Sequence, residues 1–152
     1  MNKQLVGNTG LFYVSYQLSL RNWNVLITSR NMMGADLFAI SENGKKCYGI
    51  QVKTNLNEMD VKLTKNFNHE SLNYWIIIYN MKTNPECYII PSKDIKDSYN
   101  NLIHDSSLNG KILVTADRKN SETGNQNFWI YKKYLIKDRE KKLYYENWKA
   151  LD

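Results

Sequence analysis

The sequence is short of several features, and each shortage narrows what the chain does. It holds two cysteines, Cys47 and Cys87, far apart and in no CxxC pair. A disulfide framework and a cysteine zinc site are therefore not indicated, and both residues are expected as free, half-buried thiols of a cytoplasmic protein. The two histidines, His69 and His104, stand alone and read as ordinary polar residues. No apolar run approaches the ~18 residues of a membrane span, and the opening Met1 to Val6 lacks the apolar core of a secretory signal. Acid is absent from the whole segment before Asp36.

What is present fits one globular domain over residues 1–152. Hydrophobic residues are 42% and charged residues 24% of the chain, an ordinary balance that argues against disorder and supplies one core without staples. The net charge is +6, a sign that suits a polyanion, since Lys and Arg replace the counterions condensed on a phosphate backbone. Between Lys132 and Lys149 seven basic residues stand against three acids. That segment reads either as a solvated helix face with i,i+4 pairs or as part of a nucleic-acid surface.

The periodicity predicts a helix from about Thr9 to Arg21, with Leu11, Val14 and Leu18 on one face, Thr9 as cap and Asn22 in the left-handed closing position. Trp23 to Thr28 reads as a strand. Ala35–Ser41 and Lys46–Thr54 alternate and flank Glu42-Asn43-Gly44-Lys45, and Asn-Gly there predicts a hairpin with a type I′ turn. Tyr74–Asn80 is apolar throughout and reads as a central strand covered on both faces. Glu86–Ile90 is a further strand, and Pro91-Ser92 opens a helix to about Asn101. Lys111–Thr115 and Asn127–Tyr131 are weaker strand candidates. A closing helix is expected to bury Leu143, Tyr144, Trp148 and Leu151. The sum is an α/β protein: a single mixed sheet with flanking helices.

The hairpin is also a ruler. With Asn43-Gly44 at its tip, Asp36 falls opposite Gln51, and Lys53 lies on the same face two residues on. A carboxylate and an amide oxygen so placed are spaced to share a Mg²⁺ or Mn²⁺ ion, which activates water and neutralises a phosphoryl oxygen. Lys53 would meet the charge that builds up in the transition state. Phe38 and Ile40 share that face, so the polar groups should be partly covered and in need of each other or of a ligand. A structural ion pair and a functional site are the two readings.

The pattern Gly34-x-Asp36-Leu37-x-Ala39 followed by Ile50-Gln51-Val52-Lys53-Thr54 resembles the core of the PD-(D/E)XK, or restriction-endonuclease-like, superfamily. It is closest to the variant with Gln as the middle residue, seen in Mrr-type and Holliday junction resolvase-like proteins. The stretch Gly10–Val14 through Trp23-Asn24-Val25 is similar to the family's opening helix and first strand, and Cys87–Asp94 to a later strand, Pro-Ser, helix step. The resemblance implies an αβββαβ core and a Mg²⁺- or Mn²⁺-dependent endonuclease cutting DNA. Asp36, Gln51 and Lys53 would be catalytic, Asp36 and Gln51 would hold the metal, and the chain would act as a homodimer. One departure is Leu11, where such proteins carry a glutamate. A catalytically degenerate binding module is the alternative, and an interaction protein without a nucleic-acid role is a third reading. Arg30, Lys62 and Lys65 flank the motif and are expected to contact phosphates. The charge predicts affinity for duplex or branched DNA that falls steeply with salt. Fluorescence anisotropy across a salt series checks it, and no binding at low salt would remove the nucleic-acid partner.

Overall fold

The computed structural model describes residues 2–32, 34–117 and 123–152, with the side chains of residues 30–32 outside that description. Helix α1 (Lys3–Ser19) begins a full turn and more before Thr9. Asn2 is the cap, its side chain accepting from the Gln4 N–H at 2.8 Å, and the Thr9 hydroxyl instead turns back to the Leu5 carbonyl. Asn22, at φ +63°, closes the helix as its residue type predicts.

The main sheet has five strands in the order β1-β2-β3-β5-β6. They are β1 (Trp23–Met32), β2 (Ala35–Ser41), β3 (Cys47–Thr54), β5 (Leu72–Tyr79) and β6 (Glu86–Pro91). The sheet is mixed: β3 and β5 pair in parallel, and the other neighbours are antiparallel. Strand β5 is the central apolar run, and Trp75 to Tyr79 are fully buried. Full burial of such a side chain contributes roughly 1.5–3 kcal/mol. The parallel connection from β3 to β5 holds the two-residue β4 (Val61–Lys62) and loop, where an αβββαβ order would have a helix. Strand β4 joins β7 (Val114–Ala116) and β8 (Phe128–Ile130) in a small second sheet, ordered β4-β8-β7.

Strand alternation divides the core in two. On one face Ile50, Val52, Ile76, Ile78 and Ile89 pack under Val14 and Leu18 of α1 and under Trp148 and Leu151 near the C-terminus. On the other, Trp75, Ile77, Tyr88 and Ile90 pack against α2 (Ser92–His104), the small sheet and Leu135 of α3 (Lys132–Lys141). The expected closing helix is not continuous. Helix α3 ends at Lys142, which has φ +53°, and a short 3-10 turn follows over Trp148–Leu151. The buried carboxylate of Asp138 causes the break, because it accepts the N–H groups of Leu143, Tyr144 and Tyr145 and turns the chain out of the helix. Tyr144, Trp148 and Leu151 are buried as expected, whereas Leu143 is exposed. The cysteines are free, and neither is half-buried: Cys47 is exposed and Cys87 buried. Among the described residues no helix is long and apolar enough to cross a membrane.

Two glycines fix close approaches. A Cβ at Gly10 would overlap the Thr54 side chain, and a Cβ at Gly49 would overlap the Ser71 backbone carbonyl. Rotation of Thr54 relieves the overlap with its hydroxyl, though not with its Cβ, whereas the Ser71 carbonyl belongs to the backbone of a packed connection, so Gly49→Ala should destabilise more than Gly10→Ala. Overpacking of this kind costs about 1–3 kcal/mol. Urea unfolding of both variants checks the ranking, and Thr54→Ala should recover part of the loss in Gly10→Ala only.

Candidate functional site

The hairpin keeps the register read from its sequence while using a different turn. Leu37 pairs with Ile50, Phe38 with Gly49, Ala39 with Tyr48 and Ile40 with Cys47. Ser41 then bonds to Lys46, its N–H donating to the Lys46 carbonyl at 3.0 Å, and Glu42–Lys45 form a four-residue loop. Only Gly44 of that loop has positive φ, at +69°, so the turn is not type I′. Four loop residues and two leave the same register; the ladder ends at Leu37–Ile50, and beyond it the Gln51 side chain meets Asp36.

At Asp36 the sheet opens on both sides. The β1–β2 ladder shifts register between Ile27 and Met32. There the Thr28 hydroxyl donates to the carbonyls of Ala35 (2.9 Å) and Asp36 (3.1 Å). On the β3 side, Asp36 Oδ2 accepts the Val52 N–H at 2.8 Å and a hydrogen bond from Gln51 Nε2. A side-chain carboxylate thus stands where a strand carbonyl would accept. Both bonds fall on Oδ2, and Oδ1 takes no hydrogen bond among the described residues.

Asp36, Gln51 and Lys53 rise from the face opposite α1. Gln51 is in register with Trp75 and Lys53 with Ile77, and the Lys53 ammonium sits 5.9 Å from the Trp75 ring centre, within cation–π range. Gln51 is 1% exposed, and among the described residues its Oε1 is buried without a hydrogen-bond partner, as are Thr54 Oγ1, Trp75 Nε1, Tyr88 Oη, Ser92 Oγ and Trp129 Nε1. Of these, the Gln51 amide is the group whose nitrogen also donates to a carboxylate, that of Asp36. No ion pair within 4.0 Å joins Lys53 to Asp36. Burial raises the Asp36 carboxyl above its ordinary pKa, against the lowering effects of the Val52 N–H, the Lys53 charge and Gln51. Burial likewise lowers Lys53, against the pull of Asp36. The two charges feel each other without closing into contact.

The flanking residues divide. Lys65 is exposed and adjoins Asn66, whose carbonyl oxygen would lie 3.3 Å from a Cβ at Gly34, two residues before Asp36. Lys65 is therefore at the rim. Lys62 is exposed on β4 of the small sheet, its ammonium 5.8 Å from the Trp129 ring centre. Arg30 lies in the irregular end of β1, and its side chain is outside the described residues. Leu11 packs on the α1-side cluster, so a carboxylate there would start from the opposite face, and Leu11→Glu is not expected to complete the site. Sequence reading missed Thr28 and Trp75. Thr28 carries no motif signal, and the parallel partner of Gln51 is not set by any short turn.

No family model matches the chain and no curated protein is similar to it in sequence, so the site is read from its own geometry. Asp36 Oδ1 and Gln51 Oε1 are hard oxygen donors of the kind that Mg²⁺ and Mn²⁺ take.

The raised Asp36 pKa makes a stability prediction. A carboxyl raised on folding contributes stability that is complete below its unfolded pKa, about 3.9, and is lost as pH rises through the folded value. Asp36→Asn carries no such loss, and its amide would also offer a donor to Gln51 Oε1. The variant should melt a few degrees above the wild type at neutral pH, and the difference should shrink as pH falls toward about 4. Thermal unfolding across that range checks the sign. A variant less stable at neutral pH would show that Asp36 is a structural bond.

Proposed function

We propose that the chain is a metal-dependent phosphodiesterase acting on DNA, with Asp36, Gln51 and Lys53 as its catalytic residues. The observation that carries this reading is the incomplete closure of the site. A half-buried carboxylate, an unpartnered amide oxygen and a desolvated ammonium share one face and do not neutralise one another. Proteins hold charges in that condition where a ligand completes them.

Asp36 and Gln51 would hold a Mg²⁺ or Mn²⁺ ion, which when bound supplies a Lewis acid and lowers the pKa of its water. Lys53 carries positive charge to the phosphoryl oxygens. Its place over Trp75 limits its freedom, so little reorganisation is needed as negative charge grows. The Val52 N–H and the Gln51 amide orient the Asp36 carboxylate, and Thr28 fixes the backbone from which it projects. Lys65, at the rim, favours the approach of a phosphate backbone.

A second reading is a nuclease-like module that binds nucleic acid without cutting it. It draws on the carboxylate count: among the described residues no group of three or more His, Cys, Asp and Glu is placed to hold one ion. Cleavage separates the readings. On plasmid and labelled duplex DNA, Mg²⁺ or Mn²⁺ should support slow cutting that Asp36→Ala abolishes. Lys53→Ala should lower it by about 10²–10³-fold, as for other preorganised electrostatic groups, with DNA binding largely kept. Wild-type protein that binds DNA but cuts nothing in either metal would leave the binding module. Cleavage that persists in Asp36→Ala would place the active site elsewhere.

A further inference from the structure

A second surface of the molecule carries a row of lysines and is no part of the Asp36 site. Lys133, Lys137 and Lys141 recur every four residues on the exposed side of α3. Together with Lys111 they line a groove of about 470 Å³ whose walls include the half-buried rings of Tyr131 and Tyr134. Like charges at i,i+4 weaken a helix by a few tenths of a kcal/mol per pair, and the usual remedy is an intervening glutamate bridge. None of these three lysines forms an ion pair within 4.0 Å among the described residues, although Glu140 stands three residues after Lys137. The groove's own acid, Asp138, is 3% exposed and has its oxygens bound to the N–H groups of Leu143, Tyr144 and Tyr145. Among the described residues it forms no ion pair with the lysines.

The helix that carries them is held in place. Arg139 bridges Glu58, before β4, and Glu86, at the start of β6, and Asp60 accepts the Lys132 N–H at 2.8 Å. Leu135 anchors the inner side of α3 in the cluster on the Asp36-bearing face of the main sheet. Arg139, the arginine of α3, is thereby turned away from the groove, and the lysines are presented on a fixed rod. From Lys133 to Lys141 the rod rises about 12 Å, a length over which one strand of a duplex presents three to four phosphates.

We propose that this α3 groove is a second nucleic-acid contact, in which Lys133, Lys137, Lys141 and Lys111 bind the phosphodiester backbone of one strand without reading its bases. The inference rests on the nucleic-acid reading of the Asp36 site and adds the surface that holds the substrate. Mobile ammonium groups on long stems suit sequence-independent phosphate contact, and the tyrosine walls give the sugars and lysine stems something to pack on.

The test is fluorescence anisotropy with a short labelled DNA duplex across a salt series. It compares the wild type with the triple variants Lys133→Gln/Lys137→Gln/Lys141→Gln and Lys133→Arg/Lys137→Arg/Lys141→Arg. All three positions are exposed, so the fold should persist, and circular dichroism confirms that the variants compare like with like. Each phosphate contact contributes about −0.9 to the slope of log K against log salt. The glutamine variant should therefore lose about two to three units of slope and bind more weakly at low salt, and the arginine variant should keep both. An unchanged slope in the glutamine variant overturns the groove. So does a wild type that ignores the duplex yet binds anionic phospholipid vesicles or a polyglutamate peptide through the same lysines. Cleavage is read apart from this. Protein that loses slope as expected but cuts nothing overturns the nuclease reading and leaves the groove, and Asp36-dependent cutting with an unchanged slope overturns the groove alone.

Discussion

The parallel pairing of β3 with β5 is the constraint on which the rest of this molecule depends. It puts β3 in the middle of the sheet, so its two side-chain rows are both roofed: Ile50 and Val52 under α1, Gln51 and Lys53 on the other face. It also obliges the chain to travel from Thr54 to Leu72 by a long connection. That connection lays Ser71 against Gly49 and Asn66 against Gly34, where no Cβ or only a tight one fits. The same pairing sets Trp75 beside Gln51. A hairpin alone would expose its polar face to water, and there Asp36 and Lys53 would be unremarkable surface charges.

Four buried or half-buried acidic groups, in three arrangements, show how differently the chain treats charge. Asp138 is closed by three backbone donors. Glu58 and Glu86 share the Arg139 guanidinium, and that contact holds the Glu58 carboxyl below its ordinary range. Among the described residues Asp36 has donors on one oxygen only, a lysine that forms no ion pair with it, and a raised pKa. The first two arrangements are complete as they stand and hold elements together. The third stays open on one oxygen among the described residues, and that difference, more than the identity of the residues, is what the proposed function rests on.

The electrostatic layout gives the two proposed surfaces separate tasks. The Asp36 site is small and desolvated, where one positive charge interacts strongly at short range. The α3 lysines lie in water, where they would act through counterion release and respond to salt. Both stand on the same side of the main sheet, since Leu135 packs into the cluster that Trp75 and Ile77 also join. Arg139 joins the two regions mechanically by tying α3 to the connection that leaves β3.

The sequence by itself determined what is local. Asn-Gly between two alternating runs set the β2–β3 register, and through it the meeting of Asp36, Gln51 and Lys53, because a period of two and a short loop leave few alternatives. The unbroken apolar run around Ile76–Ile78 likewise announced a strand buried on both faces. Tertiary structure decided what has no short-range signal. A four-residue loop replaced the type I′ turn without altering register. The closing helix broke because Asp138, buried by the fold, took three backbone donors. Trp75 became the neighbour of Gln51 through a parallel pairing whose offset no turn fixes, and α1 came to lie on the face away from Asp36. Each of these depends on which surfaces meet after the chain has folded, and that information is spread over contacts between residues far apart in the sequence.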